Sequence, residues 1–282
     1  MLKQRLLTAL ILIPLAVAWM FFLPFDYFTV GAVLIYLLAS REWGRFVWPA
    51  RPSLLMLPMA AMLSVSLYLL PTAQLLHVAP PAWLLCLLAI GALWWCGALM
   101  MVVRYPRGTL WWRQHALFKA VFGLLTLLPF FWAMLLLRSY HYEQNALFGG
   151  WALFFVMLLV WCADSGAYFC GRAFGRHKLM PAVSPKKTVE GLLGGLVLSA
   201  IVAAVTAFSF LPAEANQLAL IISAIMAVLA SVLGDLAESL FKREAGIKDS
   251  GSLLPGHGGV LDRIDSLTAA LPVSVICYLL LN

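Results

Sequence analysis

The chain has 282 residues, of which 63% are hydrophobic and only 11% are charged, and its mean hydropathy is +0.95. A soluble domain carries about 25% charged residues, so this composition excludes a soluble globular protein. The formal net charge of +7 is explained better by membrane topology than by nucleic-acid binding, and we expect no nucleic-acid partner.

Apolar runs of about 20 residues, the length of a membrane-spanning helix, follow one another along the whole chain. Their continuous hydrophobicity lacks the alternation of an outer-membrane β-barrel. The first run resembles a signal peptide with a cleavage site at Ala16-Val17-Ala18, but it continues to Leu23, which favours an uncleaved span. The sequence predicts an all-α polytopic membrane protein with about nine transmembrane spans, at residues 6–23, 27–40, 54–71, 82–103, 117–137, 147–170, 189–211, 217–240 and 260–281.

The basic residues assign a membrane side to each connection between the spans. If the N-terminus lies in the cytoplasm, 18 of the 19 Lys and Arg residues fall on the cytoplasmic side and only Arg138 lies opposite. The opposite connections are short and carry the acids Asp26, Glu143 and Glu214. This bias predicts a cytoplasmic N-terminus and a periplasmic C-terminus. Because no organellar targeting segment is recognisable, we expect a bacterial inner membrane.

The two halves of the chain differ in chemistry. Residues 1–145, with predicted spans 1 to 5, hold three of the 12 acids and are interpreted as a scaffold. Residues 146–282, with spans 6 to 9 and the cytoplasmic loops 172–188 and 241–259, hold the other nine and form the predicted catalytic part. The five cysteines lie inside predicted spans without a CxxC pair. Neither a metal cage nor a disulfide framework is therefore indicated.

Four polar clusters lie on the predicted cytoplasmic face. In the first, Asp164, Tyr168 and Arg172 share one stripe of span 6, and an acid at membrane depth costs about 2.5–3.5 kcal/mol, so it usually has a partner and a function. The second precedes span 7 and suits phosphate binding at a helix N-terminus, with Ser184, Lys186, Lys187 and Thr188. The alternatives are a structural Asp–Arg pair and simple anchoring by positive charge. Gly191 and Gly195 form a GxxxG pattern typical of a helix-packing face.

The third and fourth clusters flank the last connection. At the end of span 8, an acid-rich face suits a hard cation such as Mg²⁺, with Asp235, Glu238, Ser239 and Lys242 at helical spacing. In the fourth cluster, glycine amides surround His257 and precede two aspartates one helical turn apart, in the order Gly256, Gly258, Gly259, Asp262 and Asp265. The structural alternatives are a solvated helix end and a flexible turn followed by acids that favour the helix dipole.

Together the clusters predict a metal-and-phosphate site on one membrane face. Carboxylates would hold a cation, while lysines, arginines and glycine amides would hold phosphoryl oxygens. Such a set suits phosphoryl or nucleotidyl transfer, in which catalysis is mainly positioning and charge neutralisation. The sequence contains no P-loop, Rossmann GxGxxG, HExxH or GxSxG motif.

The last connection carries a family resemblance. The 27 residues from Ser239 to Asp265, SLFKR, then KD, PGHGG and DRID, resemble the signature of phosphatidate cytidylyltransferases, also called CDP-diacylglycerol synthases. The stretches SPKKTVEG at 184–191 and Asp164-x-x-x-Tyr168 are similar to upstream motifs of that family. The likeness is detailed over 160–282 and covers the first half only as several membrane helices. It implies that CTP and phosphatidic acid react to CDP-diacylglycerol and pyrophosphate, in phospholipid biosynthesis, with Mg²⁺ required.

The resemblance also implies roles for the clustered residues. Cation binding is expected of Asp235, Asp262, Asp265, Glu238 and Asp164, and the number of cations stays open. Catalytic roles are expected of Asp235, Asp262, Lys242 and His257, the last as a hydrogen-bond donor to the leaving pyrophosphate, with a purely structural histidine as the alternative. Contacts with the phosphates of CTP or phosphatidate are expected of Ser184, Lys186, Lys187, Thr188, Arg243, Lys248, Gly256, Gly258, Gly259 and Arg263.

Two other functions share some of these features. A CTP-dependent lipid or polyprenol kinase would use the same metal, triphosphate and interface, and a cation-coupled transporter would also need membrane acids. Against a transporter, the polar groups lie at one face rather than at the midplane, and no inverted repeat is visible. The expected partners are CTP, phosphatidic acid and the lipid bilayer. A homodimer is compatible with the family resemblance, although no residue marks an interface.

Overall fold

The computed structural model describes residues 2–210, 216–254 and 256–282, without the side chains of residues 2–7 and 9. Several residues used in the predictions therefore lie outside the described part. These are the side chains of Lys3 and Arg5, which contribute to the basic bias, Glu214 in the predicted 212–216 connection, and Pro255 in the glycine-rich signature.

One α-helix corresponds to each predicted span, so the all-α fold class is confirmed. Short 3-10 turns at Pro52–Leu55 and Thr72–Leu76 precede the third and fourth helices. The helices are α1 (Leu2–Phe22), α2 (Phe25–Val47), α3 (Met56–Leu69), α4 (Ala82–Arg104), α5 (Ala116–Ser139), α6 (Ala146–Phe174), α7 (Val189–Phe210), α8 (Gln217–Glu244) and α9 (Leu261–Leu281).

Seven helical segments among the described residues are long and apolar enough to cross a membrane. The helix α2 is not one of them, because Arg41, Glu42 and Arg45 lower the hydropathy of its last turns. In α1, the apolar stretch with described side chains, Leu10–Phe22, is too short to qualify. Large apolar side chains face outward on most helices, as expected of a surface in contact with lipid. The architecture is that of a multi-pass membrane protein; the count of nine spans and the sides of the termini stay predictions.

Three helices continue beyond the predicted ends of their spans. The helix α2 runs to Val47 instead of 40, α6 to Phe174 instead of 170, and α8 to Glu244 instead of 240. Each extension contains Arg or Lys in or near its last turn. Basic side chains end an apolar run but favour the C-terminal end of a helix dipole, so the helix outlasts the hydrophobic segment.

The predicted loop 172–188 contains a small antiparallel hairpin of β1 (Lys178–Met180) and β2 (Ser184–Thr188). Lys178 pairs with Thr188, and Met180 pairs with Ser184. The helix α7 begins directly after β2. The strand was not predicted because a polar SPKKT segment lacks the apolar alternation of a half-buried strand.

The connections that were assigned to the cytoplasm contact one another at one end of the helix bundle. The Trp43 indole on α2 donates a hydrogen bond to the Lys119 carbonyl on α5, 2.9 Å away. In the α4–α5 connection, Arg113 pairs with Glu244 at the end of α8 at 3.2 Å. We call this region the site end; it comprises the C-terminal ends of α2, α4, α6 and α8 and the N-terminal ends of α5, α7 and α9.

Arg138, the single basic residue assigned to the other side, lies at the opposite end and is 1% exposed. Its guanidinium donates to the carbonyls of Leu23 (3.1 Å) and Ala146 (2.8 Å) and lies over the ring of Tyr142. It therefore joins the α1–α2 and α5–α6 connections. Because it is buried, this residue is a structural cation rather than an exception to the charge bias.

Helix α5 lies at the centre of the bundle. In its most apolar stretch of 18 residues, 67% of the residues are buried, against 28% in the corresponding stretches of α4 and α7. The pairs α6–α7 and α8–α9 pack along their lengths, and α4 and α5 pack against α9.

A Cβ atom on Gly191 would lie 2.8 Å from a carbonyl oxygen of α6, and one on Gly195 would lie 2.5 Å from another. The GxxxG pattern is therefore a helix-packing face, as predicted. The division into a scaffold and a catalytic part stays a prediction.

Candidate active site

Five acids predicted to bind a cation converge at the site end from three helices. Asp164 comes from α6, two come from α8 and two from the first turns of α9. Ion pairs and electrostatic interactions link the five acids into one network, and Lys187 of the hairpin interacts with Asp235 and Asp164. We call Asp164, Asp235, Glu238, Asp262 and Asp265 the acid cluster.

Lys242 lies between two members of the acid cluster. Its ammonium nitrogen is 2.5 Å from Glu238 Oε2, one turn earlier on α8, and 2.8 Å from Asp262 Oδ1 on α9. The three side chains are nearly buried, with 12%, 2% and 5% of their surface exposed. A buried charge requires a charged or hydrogen-bonded partner, so this triad connects the end of α8 to the start of α9.

Lys187 brings the hairpin to the same cluster. Its ammonium nitrogen lies 2.6 Å from Asp235 Oδ2, and both side chains remain about one quarter exposed. The Ser239 hydroxyl donates to the other oxygen of Asp235 at 3.3 Å. The second and third predicted clusters are therefore one site, whose lysine is still open to water.

Glu238 and Asp265 face each other across α8 and α9. The Glu238 Oε1 atom is buried and accepts no hydrogen bond from the described residues. Two carboxylates that face each other form a place that favours a cation or a shared proton. Within the described residues, however, no three His, Cys, Asp or Glu side chains are arranged as ligands of one metal ion.

Asp164 is exposed at the surface of α6 and interacts electrostatically with Lys187, Asp235 and Arg263. Arg172, the alternative structural partner, instead donates a hydrogen bond to the Tyr168 hydroxyl at 3.2 Å. The structure therefore places Asp164 at the edge of the acid cluster, and not in the alternative Asp164–Arg172 pair along its own helix.

The loop before α9 is organised by Asp262. Its two carboxylate oxygens accept hydrogen bonds from the Ser250 amide (2.9 Å) and the Gly259 amide (2.7 Å), in addition to the Lys242 ammonium. The amides of His257 and Gly258 donate to the Leu254 carbonyl. The glycine amides were predicted to donate hydrogen bonds to a phosphate. In the structure, the Gly258 amide donates to the Leu254 carbonyl and the Gly259 amide to Asp262, so neither is free to bind an anion.

Gly256 and Gly258 have φ angles of +75° and +85°, so the loop needs glycine at both positions. Gly256 is exposed. The His257 Nδ1 atom is buried and has no hydrogen-bond partner in the described part of the chain. Within the described part of this loop, His257 thus has a buried polar atom without a partner.

The remaining predicted phosphate ligands divide into exposed cations and structural residues. The exposed cations are Lys186, Lys248, Arg243 and Arg263. Arg263 interacts electrostatically with Asp164, and Arg243 donates to the Val183 carbonyl of the hairpin turn at 3.3 Å. Thr188 is buried, and its hydroxyl oxygen accepts from the Gly191 amide at the start of α7. Ser184 lies in β2, two residues before the exposed lysine. The roles of all these residues in substrate binding stay predictions.

The structure adds one acid that the sequence analysis left in the scaffold. Glu42 on α2 is 4% exposed, and both of its carboxylate oxygens accept hydrogen bonds from the loop before α9. The available signal was an acid directly after an apolar run in a half with few acids. Its partners were not predictable, because they lie more than 200 residues away in sequence.

Comparisons with known proteins indicate the same family over nearly the whole chain. A model described as the cytidylyltransferase family matches residues 3–281. A phosphatidate cytidylyltransferase of Haemophilus influenzae is 43% identical over 289 residues, which cover 96% of this chain and 96% of the relative. One of Pseudomonas aeruginosa is 43% identical over 275 residues, 97% of this chain and 95% of the relative. A third, of Staphylococcus haemolyticus, is 49% identical over 121 residues, 43% of this chain and 46% of the relative.

Proposed function

The chain belongs to the cytidylyltransferase family, and we propose that it transfers the cytidylyl group of CTP to phosphatidic acid at the cytoplasmic face of a bacterial inner membrane. The products are CDP-diacylglycerol and pyrophosphate, and the enzyme is a nucleotidyltransferase of phospholipid biosynthesis. The observation that carries the proposal is the acid cluster, paired with Lys187 and Lys242 at one end of a multi-pass helical bundle.

The reaction needs positioning more than acid–base chemistry. A phosphate oxygen of phosphatidate attacks the α-phosphorus of CTP, the bond from that phosphorus to the bridging oxygen of the β-phosphate breaks, and pyrophosphate leaves with this oxygen. The phosphate nucleophile is already anionic at neutral pH, so no strong base is required. Two anionic substrates must nevertheless be held together, which favours a site with several fixed cations.

The side chains at the site end can divide this task. The exposed cations Lys186, Lys248, Arg243 and Arg263 would attract the phosphates of CTP and of phosphatidate from the water side. Lys187 and Lys242, fixed by their carboxylate partners, would hold phosphoryl oxygens beside the acid cluster. His257 is half-buried in the loop before α9, and its ring would donate a hydrogen bond to the leaving pyrophosphate.

The acid cluster fits Mg²⁺ by its charge and donor type. Among the described residues, five carboxylates face the cationic groups of Lys187, Lys242 and Arg263, which leaves a formal excess of two negative charges. Mg²⁺ commonly takes one or two protein carboxylates and completes its octahedron with water and substrate phosphates, so a three-residue cage is not required. Glu238 and Asp265, with Asp235 beside them, would hold the ion, and the role of Asp262 as a ligand stays a prediction. Bound Mg²⁺ would neutralise charge on the CTP phosphates.

The membrane side of the site follows from the charge bias. Phosphatidate stays in the bilayer while CTP is a cytoplasmic polyanion, so the site belongs at the inner interface. The basic residues that gather at the site end support this orientation. A homodimer is a further proposal that rests on the family resemblance, and chemical cross-linking of the protein in native membranes tests it.

The test of the activity uses the purified protein in detergent with labelled CTP, phosphatidate and Mg²⁺. We expect equimolar pyrophosphate and a cytidine-linked lipid. Release of CDP together with a newly phosphorylated lipid alcohol would indicate the lipid kinase instead. Absence of any nucleotide turnover, in a preparation that melts cooperatively, would contradict both enzymes.

A further inference from the structure

We propose that Glu42, on the second helix of the half interpreted as a scaffold, is a positioning residue of the active site, because it fixes the start of α9 and thereby the aspartates of the acid cluster. The inference rests on the proposed function for its kinetic consequence. Its geometric basis is independent of the substrate.

Glu42 caps a helix that starts elsewhere in the chain. Its Oε1 atom accepts from the Val260 amide at 3.1 Å, and its Oε2 atom accepts from the Leu261 amide at 2.7 Å. The Ser250 hydroxyl donates to Oε2 at 3.4 Å. The first amides of a helix lack partners within it, and the residue preceding α9, Val260, has no side chain able to cap them. A buried carboxylate from α2 fills this place and is favoured there by the helix dipole.

The loop is shaped to let this carboxylate approach. A Cβ atom at Gly251 would lie 2.1 Å from Glu42 Oε1, and one at Gly259 would lie 2.4 Å from Glu42 Oε2. Both glycines are buried. Two glycines of the last connection are therefore required by contact with Glu42.

The same loop residues contact the active-site acid on their other side. The Ser250 amide and the Gly259 amide both donate to Asp262, while the Ser250 hydroxyl donates to Glu42. Ser250 and Gly259 are thus held between the two carboxylates. Loss of the Glu42 charge would release the first turn of α9, and with it the positions of Asp262 and Asp265.

The experiment compares Glu42→Gln, Glu42→Asp and Tyr36→Phe with the unchanged enzyme in detergent. Tyr36 is fully buried on the same helix, and its hydroxyl donates to the Met59 carbonyl, away from the site. For Glu42→Gln we expect kcat to fall about 10- to 100-fold and the Mg²⁺ concentration for half-maximal rate to rise, while KM for phosphatidate stays nearly constant. Glu42→Asp should recover part of kcat because it keeps the charge. Tyr36→Phe should lower the melting temperature with kcat unchanged.

A second measurement does not depend on turnover. Lys248 is exposed beside the loop, so limited trypsin digestion reports on how firmly the loop is held. Glu42→Gln should be cut there several times faster than Tyr36→Phe. A Glu42→Gln enzyme with the original kcat and Mg²⁺ dependence, or with an unchanged cleavage rate at Lys248, would overturn the inference. An unchanged enzyme that makes no CDP-diacylglycerol would contradict the proposed function instead, and the digestion would still decide the role of Glu42.

Discussion

The ion pairs at the site determine which substitutions are informative. Lys242 is shared by Glu238 and Asp262, so its removal would leave two buried carboxylates uncompensated, a loss of about 3–5 kcal/mol in comparable cases. Among the described residues, Lys187 forms an ion pair with Asp235 alone and is partly exposed. It can therefore be changed without removing the support of the site.

Lys187→Ala should reduce activity more than Lys186→Ala, although the two residues are adjacent and carry the same charge. Lys187 contacts the acid cluster through Asp235, whereas Lys186 is exposed on β2. We expect kcat/KM to fall by about tenfold or more for Lys187→Ala, equivalent to about 1.4 kcal/mol, and clearly less for Lys186→Ala. Steady-state kinetics with CTP varied at fixed phosphatidate measures the difference. Equal losses would indicate that the two lysines act only as general positive charge.

Asp262→Asn should abolish turnover while membrane insertion remains intact. The change removes the charge that holds Lys242 and alters the acceptor of the Ser250 and Gly259 amides. We expect a loss of about 100-fold or more in kcat. Asp26→Asn, an exposed acid at the opposite end, is the control with the same chemical change. Near-normal turnover of Asp262→Asn would remove this residue from the catalytic set.

At the scale of residues, the sequence predicted contacts between side chains that lie close together along the chain. The spacing of Asp235, Glu238 and Lys242 on one helix face predicted a shared surface, and Lys242 and Glu238 form an ion pair one turn apart in the structure. The contact between Glu42 and α9 was missed, since a hydrogen bond across the bundle leaves no periodic pattern in either segment.

At the scale of elements, the loop before α9 is the least tolerant segment of the site. Gly259→Ala should lower both stability and activity, because its Cβ would overlap the Glu42 carboxylate and the Ser250 hydroxyl. We expect a loss of about 1–3 kcal/mol in stability together with a marked loss of kcat. Gly97→Ala on α4 is the matched control, since no atom from another described part of the bundle lies within 4 Å of the added methyl group. Thermal melting in detergent and the cytidylyl-transfer assay measure the two effects. A Gly259→Ala enzyme as stable and active as Gly97→Ala would contradict the close approach.

The helices were predictable because membrane helices of about 20 apolar residues give a strong signal. The hairpin and the extensions of α2, α6 and α8 were not, because they are built from charged residues whose structure depends on contacts with other helices. The extension of α2 matters most, since it carries Glu42 into a buried position that the predicted span, ending at 40, leaves outside the helix.

For the whole molecule, the chain connections lie alternately at the site end and at the opposite end of the bundle. Labelling one residue at each end therefore tests which end faces the cytoplasm. In a background without the native cysteines, Ser252→Cys lies at the site end and Glu143→Cys at the opposite end, and both native side chains are exposed. An impermeant maleimide should label Glu143→Cys in intact spheroplasts, and Ser252→Cys only after lysis. The reverse pattern would place the site outside the cytoplasm and contradict the proposed use of CTP there.

The cap on α9 has a consequence for how the protein is made. The Glu42 carboxylate leaves the ribosome early, whereas the Leu261 amide that donates a hydrogen bond to it is synthesised 219 positions later. During that interval the acid is without its final donors, and the nascent chain lacks a finished catalytic centre. Enzymatic competence therefore begins when the C-terminal helix integrates, so a product truncated before residue 260 would be inserted yet inactive.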